Sequence, residues 1–443
     1  MDKTYIIAAT LIIYKLILVT IGWAARKRTK SISEFFLGDK KIGPLITAIS
    51  YSASNSSAWT LLGVSGIAYK FGLSTLWLVL GVIIGMFFNW LIVAPKIFRM
   101  TRSKNIITIP QLLVNDFKEK ERKPILLLSS LIIIFSFTFY IASQFQGAGN
   151  AFQNSFNWNI IECLALSAIV IFAYTYMGGY LAVSITDTIQ GFLMGFTALT
   201  MPLVALIEFG GPEVLLDSII NNSTEFTSLT LGNTGLMAMG LIFGQLGIAL
   251  GYFGQPHILA RFKAIRSKDD IKTARRIAVS WTLIGLVGAF FVGIAGIGYF
   301  ETPLADSETV FIALVQALFH PLVAGILLAA ILAAIMSTAD SQLLVSSAAL
   351  TEDFYKSLFN LDASPESLVK ISRIAVVAIA IVAWLLALDP DSSVLGLVSY
   401  AWAGFGAAFG PAIILSLFWA RMNRQGCLAG ILIGGITVVA VSY

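Results

Sequence analysis

Long apolar stretches separated by short polar segments dominate the hydropathy pattern of the chain. Most stretches are close to the length of about 20 residues that an α-helix needs to cross the hydrocarbon core of a bilayer. The pattern predicts twelve membrane-spanning helices, at 4–25, 42–65, 72–95, 125–149, 159–178, 184–208, 236–259, 277–300, 322–349, 372–388, 393–419 and 427–443.

The composition agrees with this pattern. The chain is 57% hydrophobic and 12% charged, and its mean hydropathy is +0.85, which is far more apolar than a soluble domain. No charge block, low-complexity tract or long linker divides it. We therefore expect an all-α polytopic membrane protein that forms one transmembrane domain over residues 1–443.

Basic residues indicate how the chain threads the membrane. Of its 29 Lys and Arg residues, 26 lie in the segments 26–41, 96–123, 261–276, 356–373 and 421–424. All five segments fall on one side of the predicted threading, and the positive-inside rule makes that side cytoplasmic and the N-terminus external. Because the net charge of +5 is spread over short loops beside helices, nucleic acid is a disfavoured partner and the lipid bilayer a favoured one.

Two of the predicted spans contain breaks. The second span carries the polar run Ser50–Ser57 at mid-depth, and the seventh contains Gly251, Gly254 and Pro256, which weaken a helix. These spans are five apart, so they cross the membrane in opposite directions. The spacing predicts two inverted repeats of five helices, at about 42–208 and 236–419, around a binding site at the midplane. This organisation is typical of secondary transporters.

Hydroxyl groups form a stripe on the ninth span. Ala334, Ser337, Thr338 and Ser341 follow the spacing i, i+3, i+4, i+7 and therefore share one helix face. A lone hydroxyl in a membrane helix usually bonds the backbone of its own helix. A stripe beside a broken helix that exposes main-chain carbonyls offers the several oxygen ligands that a hard cation such as Na⁺ prefers.

Several segments resemble a known family. They are the run from Ser50 to Trp59, ITDT at 185–188, GQPHILARF at 254–262, the stretch from Ala333 to Lys356 that ends in TEDFYK, and VSYAWAGFGAAFGP at 398–411. With these segments the chain resembles the sodium:solute symporters, and within them the sodium/proline symporter group. The resemblance implies a LeuT-like core of five plus five inverted-repeat helices, preceded by one extra N-terminal helix.

The resemblance also implies two adjacent sites. Its sodium site consists of the main-chain oxygens of Ala53, Ser56 and Ala334 with the hydroxyls of Ser337 and Thr338. The substrate-binding positions that it implies beside this ion are Asn55, Ser57, Trp59, Tyr140, Ile248, Tyr252 and Pro256. For Trp59, packing inside the membrane is the competing interpretation. The lone His257 is interpreted as a helix-end group rather than a metal ligand.

The chain departs from the proline symporters at three of these positions. They carry an aspartate where this chain has Asn55, a methionine at Ser56, and a tryptophan at Ile248. The change at Ser56 should not disturb a main-chain ligand. Because this chain lacks the acid and the large aromatic, a sialic acid, a sugar or a short carboxylate is an alternative to proline as the solute.

Two carboxylates lie inside apolar spans. Asp187 and Asp340 are predicted at similar depth, and no Lys or Arg lies within their own spans to pair with them. Some members of the family hold a second sodium at this place, so Asp187, Asp340 and Ser341 form a candidate second cation site for Na⁺ or H⁺. In the alternative interpretation, Asp187 caps its helix and Asp340 bonds a neighbouring backbone group.

These features together predict a Na⁺-coupled symporter that takes up a small polar solute through a bacterial inner membrane. We expect an amino acid, with proline as the first candidate. A solute-sensing receptor module is the alternative from another class. Because the chain stops at Tyr443 inside an apolar helix, we expect it to be truncated. No His-Glu-x-x-His or Gly-x-Ser-x-Gly motif occurs, so an enzyme is not expected.

Overall fold

The fold is known from a computed structural model that describes residues 3–25, 32–104, 106–156, 158–222, 224–359, 364–388 and 394–442. Helices and turns make up these ranges, which contain no β-strand and one isolated β-bridge. In the N-terminal half the α-helices are α1 (Lys3–Ala25), α2 (Ile32–Leu37), α3 (Pro44–Asn55), α4 (Val64–Phe71), α5 (Leu76–Phe88), α6 (Ala94–Lys104), α7 (Ile109–Leu113), α8 (Glu119–Phe156), α9 (Ile160–Glu208) and α10 (Pro212–Asn222).

The C-terminal half contains ten further α-helices. They are α11 (Gly235–Leu246), α12 (Ile248–Gly251), α13 (Pro256–Ala264), α14 (Lys268–Tyr299), α15 (Val310–Leu318), α16 (Pro321–Ala348), α17 (Lys356–Leu358), α18 (Pro365–Leu386), α19 (Val394–Phe418) and α20 (Arg424–Ser442). Short π-helical turns lead into α4, join α5 to α6, and follow α16.

The membrane character predicted from hydropathy is confirmed. In the described ranges, nine helical stretches are long and apolar enough to cross a bilayer, and Tyr5–Ile21 is a shorter apolar helix. Two predicted spans, 159–178 and 184–208, both fall in α9, where Gly179 (φ 58°, ψ −161°) interrupts the helix. A positive φ of this kind is readily adopted only by glycine. The count of twelve spans stays a prediction.

The second span is broken where the polar run predicts. Helix α3 ends at Asn55, and Ser56 leaves the helical region (φ −89°, ψ 74°) while its N–H bonds the carbonyls of Ser52 and Ala53. The helix resumes with a π-helical turn over Trp59–Gly63. Because the chain leaves the helix at Ser56, the last carbonyls of α3 lose their intrahelical partners and must find others.

The seventh span is broken in the corresponding way. After α12, a short 3₁₀ turn covers Tyr252–Gly254, Gln255 is extended (φ −83°, ψ 104°), and Pro256 begins α13. Proline fits the first turn of a helix, where its missing N–H would have no partner. The two breaks predicted from the sequence are therefore confirmed.

Hydrogen bonds join the start of α3 to the end of α13. Ile42, just before α3, forms a parallel bridge with Ile265, just after α13, through bonds from Ile42 N to Ala264 O (3.2 Å) and from Arg266 N to Ile42 O (2.9 Å). The Arg102 guanidinium donates to the Ile265 carbonyl at 2.7 Å and to the Lys40 carbonyl. These contacts fix the position of α13 relative to α3.

Helix α16 lies at the centre of the packing. It contacts α1, α3, α8 and α9, and nearly every side chain from Ala324 to Ala348 is buried. Polar side chains on α16 therefore face other helices rather than lipid, and each needs a partner inside the protein.

Close packing of α14 against α9 gives a test of the fold. Gly288 leaves no room for a side chain, because a Cβ there would lie 2.1 Å from the Ala198 carbonyl oxygen. We expect Gly288→Ala to destabilise the protein by about 1–3 kcal/mol through overpacking. Gly240→Ala on α11, where a Cβ meets nothing within 4 Å, is the matched control. Thermal unfolding in detergent measures both, and equal midpoints would contradict this packing.

Candidate functional site

Hydroxyls of α16 meet the carbonyls released at the end of α3. Ser337 Oγ donates to Ala53 O at 2.9 Å, and Thr338 Oγ1 donates to Ser54 O at 2.9 Å. Both hydroxyls also lie 3.1 Å from Ala334 O on their own helix. The result is a fully buried group of three main-chain and two hydroxyl oxygens.

This oxygen group contains most of the predicted sodium ligands. Ala53, Ala334, Ser337 and Thr338 come together, and the Ser54 carbonyl joins them without having been predicted. Ser56 lies at the break of the same helix, and its N–H is held by Ser52 and Ala53. Several oxygen atoms close together are the kind of ligand set that hard cations prefer.

The predicted substrate positions join the two broken helices. Asn55 Nδ2 donates to Tyr252 OH at 2.8 Å, which links the end of α3 to the break after α12. Tyr140 of α8 lies beside them and donates to Ser57 Oγ at 3.4 Å, and Ser57 Oγ accepts from Trp59 N at 3.3 Å. All five side chains are buried.

Several polar atoms at this place have no protein partner. Within the described ranges, Asn55 Oδ1, Trp59 Nε1 and Gln255 Oε1 are buried and make no hydrogen bond. Buried polar atoms are nearly always paired, so a set of orphaned acceptors and a donor at one break points to a polar ligand or to water. The same breaks that expose carbonyls to α16 therefore also offer unpaired side-chain groups.

Two other predicted positions lie at the border of this group. Ile248 is half-buried on α12, and its carbonyl accepts from Trp402 Nε1 at 3.4 Å. Pro256 begins α13 and, together with Arg261 and Ser341, lines a separate cavity of about 20 Å³. His257 follows in the first turn of α13, edge-on to the rings of Phe137 and Tyr140.

Trp402 of α19 is a site residue that sequence reasoning missed. Its ring packs edge-on against Tyr252 with centroids 5.0 Å apart, and it lines a cavity of about 850 Å³ together with Trp59 and Ile248. Gly251 makes this approach possible, because a Cβ there would lie 2.1 Å from Trp402 Nε1. In the sequence, Trp402 lies in the segment 398–411, which contributes to the family resemblance but assigns no role to this residue.

Asp187 pairs with a basic side chain from another helix. Arg261 of α13 donates from Nη2 to Asp187 Oδ2 at 2.9 Å, and both side chains are fully buried. Ser50 and Ser54 hydroxyls donate to the same carboxylate oxygen, at 2.7 and 3.0 Å. No Lys or Arg lies within the span of Asp187 itself, but the break at Gln255 turns α13 so that its Arg261 reaches α9.

The remaining members of the predicted second cation site adjoin this ion pair. Ser341 Oγ lies 2.9 Å from Ser54 Oγ, accepts from Arg261 Nη2, and donates to Asp340 Oδ1 at 3.1 Å. Asp187, Asp340 and Ser341 are thus part of one buried network, but a guanidinium stands among them.

Fold and site together define a polytopic helical carrier with two broken helices around a buried oxygen-rich centre. The chain belongs to the sodium:solute symporter family, whose model matches residues 35–434. It is 43% identical over 426 residues to the high-affinity proline transporter PutP of Bacillus subtilis, covering 95% of this chain and 89% of the relative. It is 42% identical to the sodium/proline symporter of Escherichia coli, covering 97% and 86%.

A solved structure shares the architecture. The substrate-bound, outward-open state of a Na⁺-coupled sialic acid symporter matches with a TM-score of 0.81 at 20% identity, covering 99% of this chain and 98% of that one. This match confirms the LeuT-like fold class. The named relatives are transporters, which confirms the expectation that the chain is not an enzyme.

The packing of Trp402 on the broken helix gives a prediction. In Gly251→Ala the new Cβ displaces the Trp402 ring, which loses its contact with Tyr252. We expect the half-saturation constant for uptake, measured with proline as the probe, to rise at least roughly tenfold, equivalent to about 1.4 kcal/mol. Gly244→Ala on α11, where a Cβ meets nothing within 4 Å, is the control. An unchanged constant in Gly251→Ala would remove Trp402 from the site.

Proposed function

We propose that this chain is a secondary active symporter that couples inward movement of Na⁺ to uptake of a small polar solute. Proline is the first candidate solute. The hydrogen bonds from Ser337 and Thr338 to the carbonyls of the broken helix α3 carry this proposal, because they gather oxygen ligands at mid-membrane. The family of the chain and the names of its relatives support it.

In this proposal Na⁺ replaces hydrogen bonds that the site makes within the protein. The ion is held by the main-chain oxygens of Ala53, Ser56 and Ala334 and by the hydroxyls of Ser337 and Thr338. Each hydroxyl turns its lone pairs toward the ion, and the carbonyls of Ala53 and Ala334, which accept from the hydroxyls in this structure, become ligands. Because α3 and α16 both contribute, the bound ion joins the two helices and fixes the break where solute binds.

The solute occupies the space next to this ion. Asn55, Ser57, Trp59, Tyr140 and Tyr252 surround it, and Ile248 and Pro256 border it. Asn55 Oδ1 and Trp59 Nε1 are the unpaired groups that contact it, as an acceptor and a donor. An amino acid suits such a pair, because it offers an ammonium donor and a carboxylate acceptor.

The coupling energy is sufficient for accumulation. One Na⁺ that moves inward through about 100 mV and down a tenfold gradient releases roughly 2.3 plus 1.4 kcal/mol. Tight coupling to one ion would accumulate the solute on the order of 500-fold.

The threading of the chain is part of the proposal. The five basic segments lie in the cytoplasm of a bacterial cell, the N-terminus lies outside, and the protein resides in the inner membrane. One domain covers residues 1–443, with its repeats at about 42–208 and 236–419.

The second candidate for the transported solute is one that other members of the family take up, such as a sialic acid, a sugar or a short carboxylate. It is the second candidate because Asn55 and Ile248 differ from the residues of the proline symporters.

Sodium dependence tests the proposed ion site. We expect Ser337→Ala and Thr338→Ala each to weaken Na⁺ activation of uptake at least roughly tenfold, which corresponds to about 1.4 kcal/mol for a lost ligand. Ser347→Ala on the same helix is the control, because that hydroxyl bonds the Leu344 carbonyl of its own helix at 2.9 Å. Initial uptake rates over a Na⁺ titration decide the matter. Sodium activation that is unaltered in both variants would refute the assignment.

Solute selectivity tests the other half of the proposal. We expect Asn55→Asp combined with Ile248→Trp to shift selectivity toward proline, because an aromatic face favours stacking with the ring. The aspartate keeps the contact with Tyr252 by accepting from its hydroxyl instead of donating to it. Competition of unlabelled solutes against a labelled one measures the rank order, with each single variant as control. If the rank order stays the same, the pocket lies elsewhere.

A further inference from the structure

The Arg261 side chain is buried among polar groups at the place where the sequence predicts a second cation. Its Nη2 atom donates to Asp187 Oδ2 at 2.9 Å and contacts the hydroxyls of Ser54 and Ser341. These are the oxygens that an ion at this place would use. Because a guanidinium stays charged at any pH that proteins tolerate, the site already holds a permanent positive charge.

The remaining donors of Arg261 hold the guanidinium firmly in this place. Nε lies 3.3 Å from Ser50 Oγ, and Nη1 donates to the His257 carbonyl at 2.7 Å. The Tyr180 ring lies over the guanidinium, 5.6 Å from its carbon. With 1% of its surface exposed, the side chain is a fixed part of the interior rather than a surface group that swings in.

This arginine comes from the helix that follows the second break. It projects from α13, the inner half of the second broken helix, and contacts α3, α9 and α16. It also lines a cavity of about 20 Å³ together with Pro256 and Ser341. A guanidinium attached to α13 is present at Asp187 only while α13 keeps this position.

We propose that Arg261 serves as a tethered second cation, so that Asp187 neutralises the Arg261 guanidinium and binds no second Na⁺ while α13 keeps this position. The proposal rests on the proposed Na⁺-coupled function and specifies its ion count. A mobile ion next to the guanidinium would be repelled in a low-dielectric interior. Arg261 is a positioning residue here, because it contacts neither the proposed first ion nor the solute.

Removing the tethered charge should open the site to a mobile ion. In Arg261→Gln, the Asp187 carboxylate and the hydroxyls of Ser54 and Ser341 remain as oxygen ligands without a cation. We expect the number of Na⁺ ions bound per chain to rise from one to two and the Hill coefficient of Na⁺ activation to rise with it. Arg261→Lys keeps a positive charge on α13 and should keep the count at one.

Equilibrium binding of ²²Na⁺ to purified protein in lipid nanodiscs, in the presence of proline, measures the count. Arg266→Gln is the matched charge control, because Arg266 is exposed and paired with Asp270 at 2.8 Å. Its count should stay at one. In Arg261→Gln combined with Asp187→Asn, the second ion should disappear again, which shows that the acid holds it. A folded Arg261→Gln variant that still binds one ion would overturn the proposal.

The wild-type chain and Asp187→Asn keep the proposal testable if Arg261→Gln does not fold. Both should bind one Na⁺, because Asp187 holds the guanidinium rather than an ion. A wild-type count of two, or the loss of an ion in Asp187→Asn, would overturn it. Failure of the proposed function gives a different result, in which wild-type protein binds no Na⁺ and its proline binding is indifferent to Na⁺.

Discussion

Backbone carbonyls that leave a helix inside a bilayer must find another partner, and this constraint organises the centre of the molecule. Helix α3 stops at Asn55 inside an apolar stretch of the chain, so the carbonyls of Ala53 and Ser54 lose the partners that a continuing helix would supply. No water is available in hydrocarbon to donate hydrogen bonds to these carbonyls, so the hydroxyls of Ser337 and Thr338 donate to them instead. These carbonyl and hydroxyl oxygens are the ligands that the proposed Na⁺ would use in place of those bonds.

The second constraint is buried charge. Asp187 would be costly in the membrane without a partner, and Arg261 supplies one only because the break at Gln255 reorients α13. The pair connects the inner half of the second broken helix to α9, and the bridge between Ile42 and Ile265 connects it to α3. The two broken helices are therefore linked at the breaks through Asn55 and Tyr252, and away from the breaks through main-chain and ionic contacts.

Local patterns were sufficient to predict the helical membrane fold class and the two helix breaks, whereas most of the candidate site residues came from the resemblance to the family. Hydropathy, basic loops and the positions of Gly251 and Pro256 follow from the chain alone, and the hydroxyl stripe on α16 follows from helical spacing. The pairing of Asp187 with Arg261 does not, because it depends on the direction in which α13 leaves the break. Trp402 was also missed. Its contact with Gly251 depends on how α19 packs against α12, and the sequence of an apolar helix does not reveal this packing.

The central claim is that solute and Na⁺ bind together where the two broken helices meet α16. A thermal-stability titration of the purified chain with proline, in Na⁺ and in K⁺ at equal ionic strength, tests it most directly, because a ligand stabilises the folded state in proportion to its binding. Linkage requires that Na⁺ and a coupled solute strengthen each other's binding. The account predicts a rise in melting temperature with proline that is large in Na⁺ and small in K⁺. An equal rise in both salts would contradict it.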